Sequence, residues 1–247
     1  MKSLGYTPLI VIGVFILLFA VEKFFPLRES KAGLIARLIV NGSISAVAFL
    51  VAATVVRPSA LLTLDWASAR PFGLINLVPL PGWAQFIAGF LLLDLSFYYW
   101  HIANHKFPWL WRFHNVHHID PDLDVSTGFR FHFGEVLLST LFRVVQVSLI
   151  GMSFAAFVAY EVVFQCNTLF HHSNLRLPIR LERWLNRFLV TPRMHGIHHS
   201  QVRPETNSNY GVIFSWWDKL HRTLGLNIPQ SKIKIGIAGY SLPEDNR

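Results

Sequence analysis

The sequence predicts an all-α, multi-pass membrane protein, and three observations lead there. Long uncharged runs recur along its 247 residues, the composition is 52% hydrophobic with 15% charged, and the charges fall between the runs. Soluble domains carry about 25% charged residues, and the mean hydropathy of +0.39 points the same way. No composition break divides the chain. It reads as one integral-membrane domain over 1–247, with N-terminal spans in 1–80, a second region in 81–225 and a tail in 226–247.

Residues 3–21 and 38–56 carry no charge and are 19 residues each, enough to cross a ~30 Å hydrocarbon core as a helix. Before Glu22 there is a single Lys2 and no small-residue cleavage pattern, so the first run is expected to remain as a span. Lys23, Arg28, Lys31 and Arg37 lie between the two runs. Only Arg57 and Arg70 follow the second, in a stretch holding Pro58, Pro71, Pro79 and Pro81. Excess Lys and Arg mark cytoplasmic loops, which places 22–37 inside and a 57–81 loop outside. A third span runs from Trp83 through Leu93 to His105 and returns to the cytoplasmic face.

Residues 136–170 are apolar apart from Arg143 and Glu161. One straight helix of that length would run ~52 Å, too far for a single crossing. Gly151 near the middle predicts a helical hairpin with short arms, both ends cytoplasmic, which would bring His171 beside His101. Over 178–190, Leu181, Trp184, Leu185, Phe188 and Leu189 share a helical stripe, with Arg180, Arg183 and Arg187 away from it. This fits a helix in the interface plane or one packed on the core. The last twenty residues predict no clear element. The expected architecture is a helical bundle of about three full spans plus a hairpin.

The net charge of +8 does not point to nucleic acid, because the basic residues flank apolar runs, where they meet anionic lipid. Cys166 is the one cysteine, which excludes an intrachain disulfide and thiolate metal sites.

Twelve histidines carry the main chemical signal. His101 and His105 form an HxxxH pair; His114, His117 and His118 form an HxxHH triplet; His195, His198 and His199 form a second. Positions i, i+3 and i+4 lie on one helix face, so each triplet is expected to aim three imidazoles at a common point. Asp94, Tyr98, His101 and His105 also share a face of the third span. A buried acid in an apolar helix is a functional candidate by default.

Eight imidazoles exceed the needs of a structural zinc, which takes about four ligands, and of a haem, which takes one or two. They suit two metal ions with coordination positions left open, in a histidine-rich di-metal cap on the cytoplasmic side. Imidazole alone does not name the metal. The Glu-x-x-His pattern of soluble di-iron bundles and the HExxH pattern of zinc proteases are both missing.

These boxes resemble those of the fatty acid hydroxylase and sterol desaturase superfamily of membrane-bound di-iron oxygenases. The likeness spans roughly 83–225 and includes His105-Lys-Phe-Pro-Trp-Leu-Trp-Arg-Phe-His114, Arg130-Phe-His132, Thr191-Pro-Arg-Met-His195, Asn207-Ser-Asn-Tyr-Gly211 and Trp217-Asp218-Lys219-Leu220. The resemblance implies that His101, His105, His114, His117, His118, His195, His198 and His199 hold two irons, with His171 as a ninth ligand. Asn167 stands four residues before it, where some relatives have histidine. His132 is expected behind the ligands, with Glu135 three residues on, because ligating histidines commonly need an acid or carbonyl on the other ring nitrogen. His172 reads as either a ligand or a neighbour. His221 stands where relatives carry an aromatic residue and reads as interfacial or solvated.

The implied reaction is O2-dependent hydroxylation or desaturation of a lipid C–H bond, in the inner membrane of a bacterium or the endoplasmic reticulum of a eukaryote. Asp94 would orient a box histidine and Tyr98 would shape the site. The chain has no GxGxxG nucleotide fingerprint and no CxxCH haem motif. Electrons are therefore expected from an external donor such as a cytochrome or ferredoxin. Two other readings weigh less. A zinc-dependent membrane hydrolase needs fewer ligands and a carboxylate base that has no evident position. A histidine-rich metal transporter should place its ligands at the bilayer midplane, whereas these boxes sit at span ends.

Overall fold

The computed structural model describes residues 7–70 and 72–240, and among them the regular structure is all helical. Helix α1 (Thr7–Phe24) is the first apolar run. Helix α2 (Leu34–Val51) passes through a π turn (Ala52–Val56) directly into α3 (Arg57–Ser68). The expected 57–81 loop is thus helical over its first twelve residues. The physical reason lies at Pro58, which has no N–H to give the carbonyl four residues back. The π turn takes up that break, with Arg57 N–H bonding Ala52 O five residues back.

Helix α4 (Gly82–Lys106) is a single 25-residue span. It ends where Phe107 turns extended ahead of Pro108, as a residue before proline must, and Pro108 opens α5 (Pro108–His118). The expected hairpin is present as α6 (Phe133–Ile150) and α7 (Phe154–His172), split at Gly151. Its arms of 18 and 19 residues are not short, however, and α6 is long and apolar enough to cross a membrane. Gly151 closes α6 with φ of 69°, and a Cβ there would overlap Phe72 O. Across the hairpin Arg143 pairs with Glu161 at 2.8 Å, which neutralises its two charges together.

Among the described residues four helices are long and apolar enough to cross a membrane: α1, the continuous Leu34–Ala67, α4 and α6. The protein is an integral membrane protein of helical-bundle type. Its membrane-level core joins Leu93 and Phe97 of α4, Val147 and Ile150 of α6, Phe157 and Tyr160 of α7, and Leu64 of α3.

The 22–37 connection lies at the histidine-bearing end of the bundle. Buried Arg37 meets Asp120 at 2.9 Å and Asp124 at 2.5 Å, and Glu22 accepts the N–H groups of Val125 and Asn174. The segment near Gly73 instead packs on the Gly151 turn at the hairpin tip.

Short helices complete the cap: α8 (Ile179–Leu185), α9 (Pro192–His198), α10 (Arg203–Thr206) and α11 (Trp216–Leu220). The regular part of the 178–190 stripe is only α8, and Leu181, Trp184 and Phe188 are exposed. Near the chain's end, Ile233 and Ile235 pack with Leu123 and Ile197 behind the second triplet.

Candidate metal centre

Four elements converge on the cap. The last turns of α4 bring His101 and His105, α5 brings His114, His117 and His118, the end of α7 brings His171 and His172, and α9 with its cap residue brings His195, His198 and His199. Their nitrogens form two groups: His101, His105, His114, His118 and His198 in one, His117, His172, His195 and His199 in the other. Within each group the nitrogens lie within 4.8 Å of one another.

Neither triplet aims at a common point, contrary to the sequence expectation. At about 100° per residue, i and i+4 lie ~40° apart, while i+3 stands ~60° to the other side of i. His114 and His118 therefore join one group and His117 the other. His195 and His199 join one and His198 the other, in the opposite sense.

The ring nitrogens fit metal ions on grounds of hydrogen bonding. His117 Nδ1 lies 3.2 Å from Arg130 O and His172 Nδ1 lies 2.7 Å from Thr168 O. A carbonyl only accepts, so both Nδ1 atoms carry the proton and both Nε2 atoms of the neutral rings are bare lone pairs. Those two Nε2 atoms face each other at 2.9 Å. Burial, and then the neighbouring His172, holds the His117 imidazole well below its ordinary pKa, so protonation does not relieve the contact. A cation between the rings does.

The Nε2 separations continue at 3.0 Å for His195 to His172 and 3.1 Å for His199 to His195. Donors at right angles on a metal with ~2.1 Å bonds stand ~3.0 Å apart, against ~3.4 Å on a tetrahedral ion. The spacing suits a coordination number above four. In the other group, Nε2 of His105, His114, His118 and His198 is buried without a protein partner. Burial also pushes His118, His195 and His199 well below their ordinary range, and His198 to about 3. All are neutral near pH 7, as ligation requires.

Several rings are oriented from behind. Glu135 Oε1 meets His114 Nδ1 at 3.0 Å, Tyr210 O meets His101 Nδ1 at 2.8 Å, and Ser208 O meets His198 Nδ1 at 2.7 Å. His132, expected in this role, instead caps α6 by accepting the Gly134 N–H, and Glu135 supplies the partner. His171 lies outside both groups, its Nδ1 on Val212 O and its ring 4.1 Å from that of His195. Its neighbour His172 takes the place in the cluster. Asn167 Nδ2 donates to Val212 O.

Asp94 touches no histidine. It accepts the N–H groups of Ile213 and Phe214, the indole of Trp217 and the hydroxyl of Tyr160. Tyr98 is fully buried, with its hydroxyl 2.9 Å from Thr223 Oγ1, away from both groups. His221 lies between Tyr99 OH and Trp217 O. Sequence reasoning singled out the motifs holding Asp218 and the 207–211 stretch but assigned them no role at the site. Burial pushes Asp218 up to about 6 while its Thr223, Gly211 and Tyr210 donors hold it back. Backbone carbonyls leave no side-chain signal by which to find them.

Residues 86–223 match the family described as fatty acid hydroxylase. The chain is 32% identical over 158 residues to ornithine lipid hydroxylase OlsE of Rhizobium tropici, covering 63% of this chain and 46% of that protein. It is 30% identical over 137 residues to cholesterol 25-hydroxylase of Homo sapiens, covering 54% and 48%. With human alkylglycerol monooxygenase the figures are 28% over 158 residues, 64% and 34%. The match thus spans about half, or less, of the length of these relatives. No solved structure matches the chain.

Proposed function

The chain belongs to the fatty acid hydroxylase family, and from that premise we propose that it is a membrane-bound di-iron oxygenase that hydroxylates a C–H bond of a lipid with O2. The observation that carries the proposal is the pair of buried nitrogen clusters: in the four-histidine group Nε2 atoms face one another at 2.9–3.1 Å, and in the five-histidine group four Nε2 atoms are buried without a protein partner. His101, His105, His114, His118 and His198 would hold one iron, and His117, His172, His195 and His199 the other. A bound iron pair with O2 supplies the oxidant that an unactivated C–H bond needs, chemistry that no side chain here provides.

The protein's own part is orientation and exclusion. The Glu135 carboxylate and the carbonyls of Arg130, Thr168, Ser208 and Tyr210 fix which nitrogen of five rings faces inward. Near-complete burial of His117, His118, His195, His198 and His199 keeps bulk water off the centre. Hydroxylation is favoured over desaturation because the relatives named above are hydroxylases or monooxygenases. Their names also point to a lipid substrate.

The histidine end is assigned to the cytoplasmic side on the basic 22–37 connection that lies against it. There an external donor would deliver electrons. Single cysteines at Lys31 and Arg203, in a Cys166→Ser background, should label from one side and one at Val78 from the other. Labelling of 31 and 203 from opposite sides would sink the shared centre.

The decisive experiment is lipid mass spectrometry of cells with and without the gene, grown with and without O2. A lipid one oxygen heavier should appear only with both. The purified protein should carry close to two irons per chain. An unchanged lipid profile alongside one metal or none after anaerobic iron loading overturns the proposal.

A further inference from the structure

Three histidines from three different helices lean on one irregular stretch of chain. His198 of α9 donates to Ser208 O, His101 of α4 to Tyr210 O at 2.8 Å, and His171 of α7 to Val212 O at 3.1 Å. The accepting carbonyls belong to alternate residues of the segment. The N–H groups of the same peptides are held elsewhere. Gly211 N–H, in the peptide whose carbonyl is Tyr210 O, donates to Asp218 Oδ2 at 2.8 Å. Ile213 N–H, in the peptide whose carbonyl is Val212 O, donates to Asp94 Oδ1 at 3.3 Å.

Two buried carboxylates are thereby joined to two histidines, each through a single peptide group. The first relay runs Asp218, the 210–211 peptide, His101; the second runs Asp94, the 212–213 peptide, His171. Both carboxylates are 0% exposed. Each is held by further donors: Tyr210 N–H and Thr223 Oγ1 on Asp218, Phe214 N–H and Trp217 Nε1 on Asp94. The third carbonyl, Ser208 O, has its peptide N–H at Asn209 bonded to Thr223 O, on the residue whose hydroxyl binds Asp218.

We propose that Asp218 and Asp94 are positioning residues that set His101 and His171 through interposed peptide groups, and that for His101, a member of the five-histidine group, this does what a carboxylate in direct contact with a ligating histidine does. The proposal rests on the reading of the two clusters as a metal centre. A carboxylate on a peptide N–H makes the carbonyl of that peptide a stronger acceptor, since hydrogen bonds in a chain polarise one another. A stronger acceptor on Nδ1 raises the basicity of Nε2 and fixes its direction. The peptide also lets one short segment serve helices α4, α7 and α9 at once, which a single carboxylate cannot reach. Gly211 belongs to the device: a Cβ there would stand 2.8 Å from both Asp218 Oδ2 and Phe214 O.

The two relays end differently, and this makes the proposal testable. His101 is a member of the five-histidine group, whereas His171 lies outside both groups. Asp218→Asn should therefore weaken metal binding more than Asp94→Asn does, whatever each costs in stability. The test is Co(II) titration of the full-length protein in lipid nanodiscs, read by affinity, metal per chain and the ligand-field spectrum, with melting temperature measured alongside. Asp218→Asn is expected to weaken one of the two Co(II) sites by ~10–100-fold and shift its visible bands, the range for loss of a partner behind a ligand.

Arg143→Met, which breaks an ion pair of the hairpin and touches neither Asp218 nor a histidine of the two groups, supplies a destabilised control. A wild-type spectrum and affinity in Asp218→Asn, or a change no larger than that of Arg143→Met, overturns the relay and leaves the carboxylate as a structural tie. Should Asp218→Asn fail to accumulate, Thr223→Val removes one 2.7 Å bond from the same carboxylate. It must shift the same bands in the same direction, and unchanged bands count equally against the relay. Failure of the wild-type protein to bind two Co(II) would strike the metal centre itself, an outcome distinct from these.

Discussion

The two HxxHH triplets have the same spacing but are built differently. The first, His114, His117 and His118, rides on the eleven-residue α5. Two of its rings have partners on Nδ1: the Glu135 carboxylate for His114 and the Arg130 carbonyl for His117. The second, His195, His198 and His199, sits on the seven-residue α9 and the residue that caps it. Only His198 has a partner on Nδ1, while Nδ1 of His195 and His199 is buried without one.

Each triplet gives its i and i+4 rings to one group and its i+3 ring to the other, in opposite senses. Two facing helices with the same motif thus share both groups between them. The lesson is that helix phase divides the ligands. The support behind the rings then decides which group is more easily emptied.

The largest effect should come from the four-histidine group, which has no donor to spare. His199→Ala is expected to take the protein from about two irons per chain to about one, because affinity depends on ligand number. His118→Ala leaves four donors in its group and should retain more metal. Elemental analysis after anaerobic loading checks this. Equal loss in both variants would break the division into two groups.

The pair at the end of α7 sharpens the comparison next. His172→Ala should behave like His199→Ala in iron content, since its Nε2 lies 2.9 Å from His117 Nε2 and 3.0 Å from His195 Nε2. His171→Ala should keep two metals and lose affinity by a factor of ~10–100, as for a residue behind the ligands. The reverse order would restore the sequence expectation that His171 is the ninth ligand.

A smaller effect is expected behind the first triplet. Glu135→Gln keeps the side chain's shape and removes its charge from His114 Nδ1. Affinity at the five-histidine group should fall by up to ~10–100-fold, with the other group unaffected. Competition with a metal-sensitive dye, resolved into two sites, reads this directly. Loss at both sites would mean that the groups do not titrate separately.

The long apolar runs made the bundle legible, because nineteen uncharged residues have few alternatives to a span. Gly151 marked the hairpin turn for a related reason, since a left-handed residue after a helix is most often glycine. The continuity of α2 into α3 was hidden by Arg57 and Pro58, which read as a span's end and which a π turn absorbs. The phase of α7 was hidden as well. Its apolar residues surround the helix, so nothing in the pattern said whether His171 or His172 points at the cluster. The split of each triplet was present in the spacing, since i+3 and i+4 differ by ~100° in direction. Treating a shared face as a shared point concealed it. The carbonyls of Ser208, Tyr210 and Val212 lay beyond sequence reading altogether, because any residue supplies a carbonyl.

The smallest effect is expected at His221, a histidine of the cap that, like His171, joins neither group. Its Nδ1 donates to Trp217 O at 2.8 Å, its Nε2 accepts from Tyr99 OH at 2.7 Å, and its ring packs on that of Tyr98. These contacts tie α11 to α4 through Tyr98 and Tyr99. His221→Ala should therefore cost on the order of 1 kcal/mol of stability for one partly exposed hydrogen-bonded ring. Iron content and product formation should remain near wild type. The comparison with His118→Ala is the sharpest control in the series, because both substitutions delete one imidazole from the same cap. If the two variants lose metal equally, ligand identity does not decide occupancy, and the division of the cap into ligating and structural histidines falls with it.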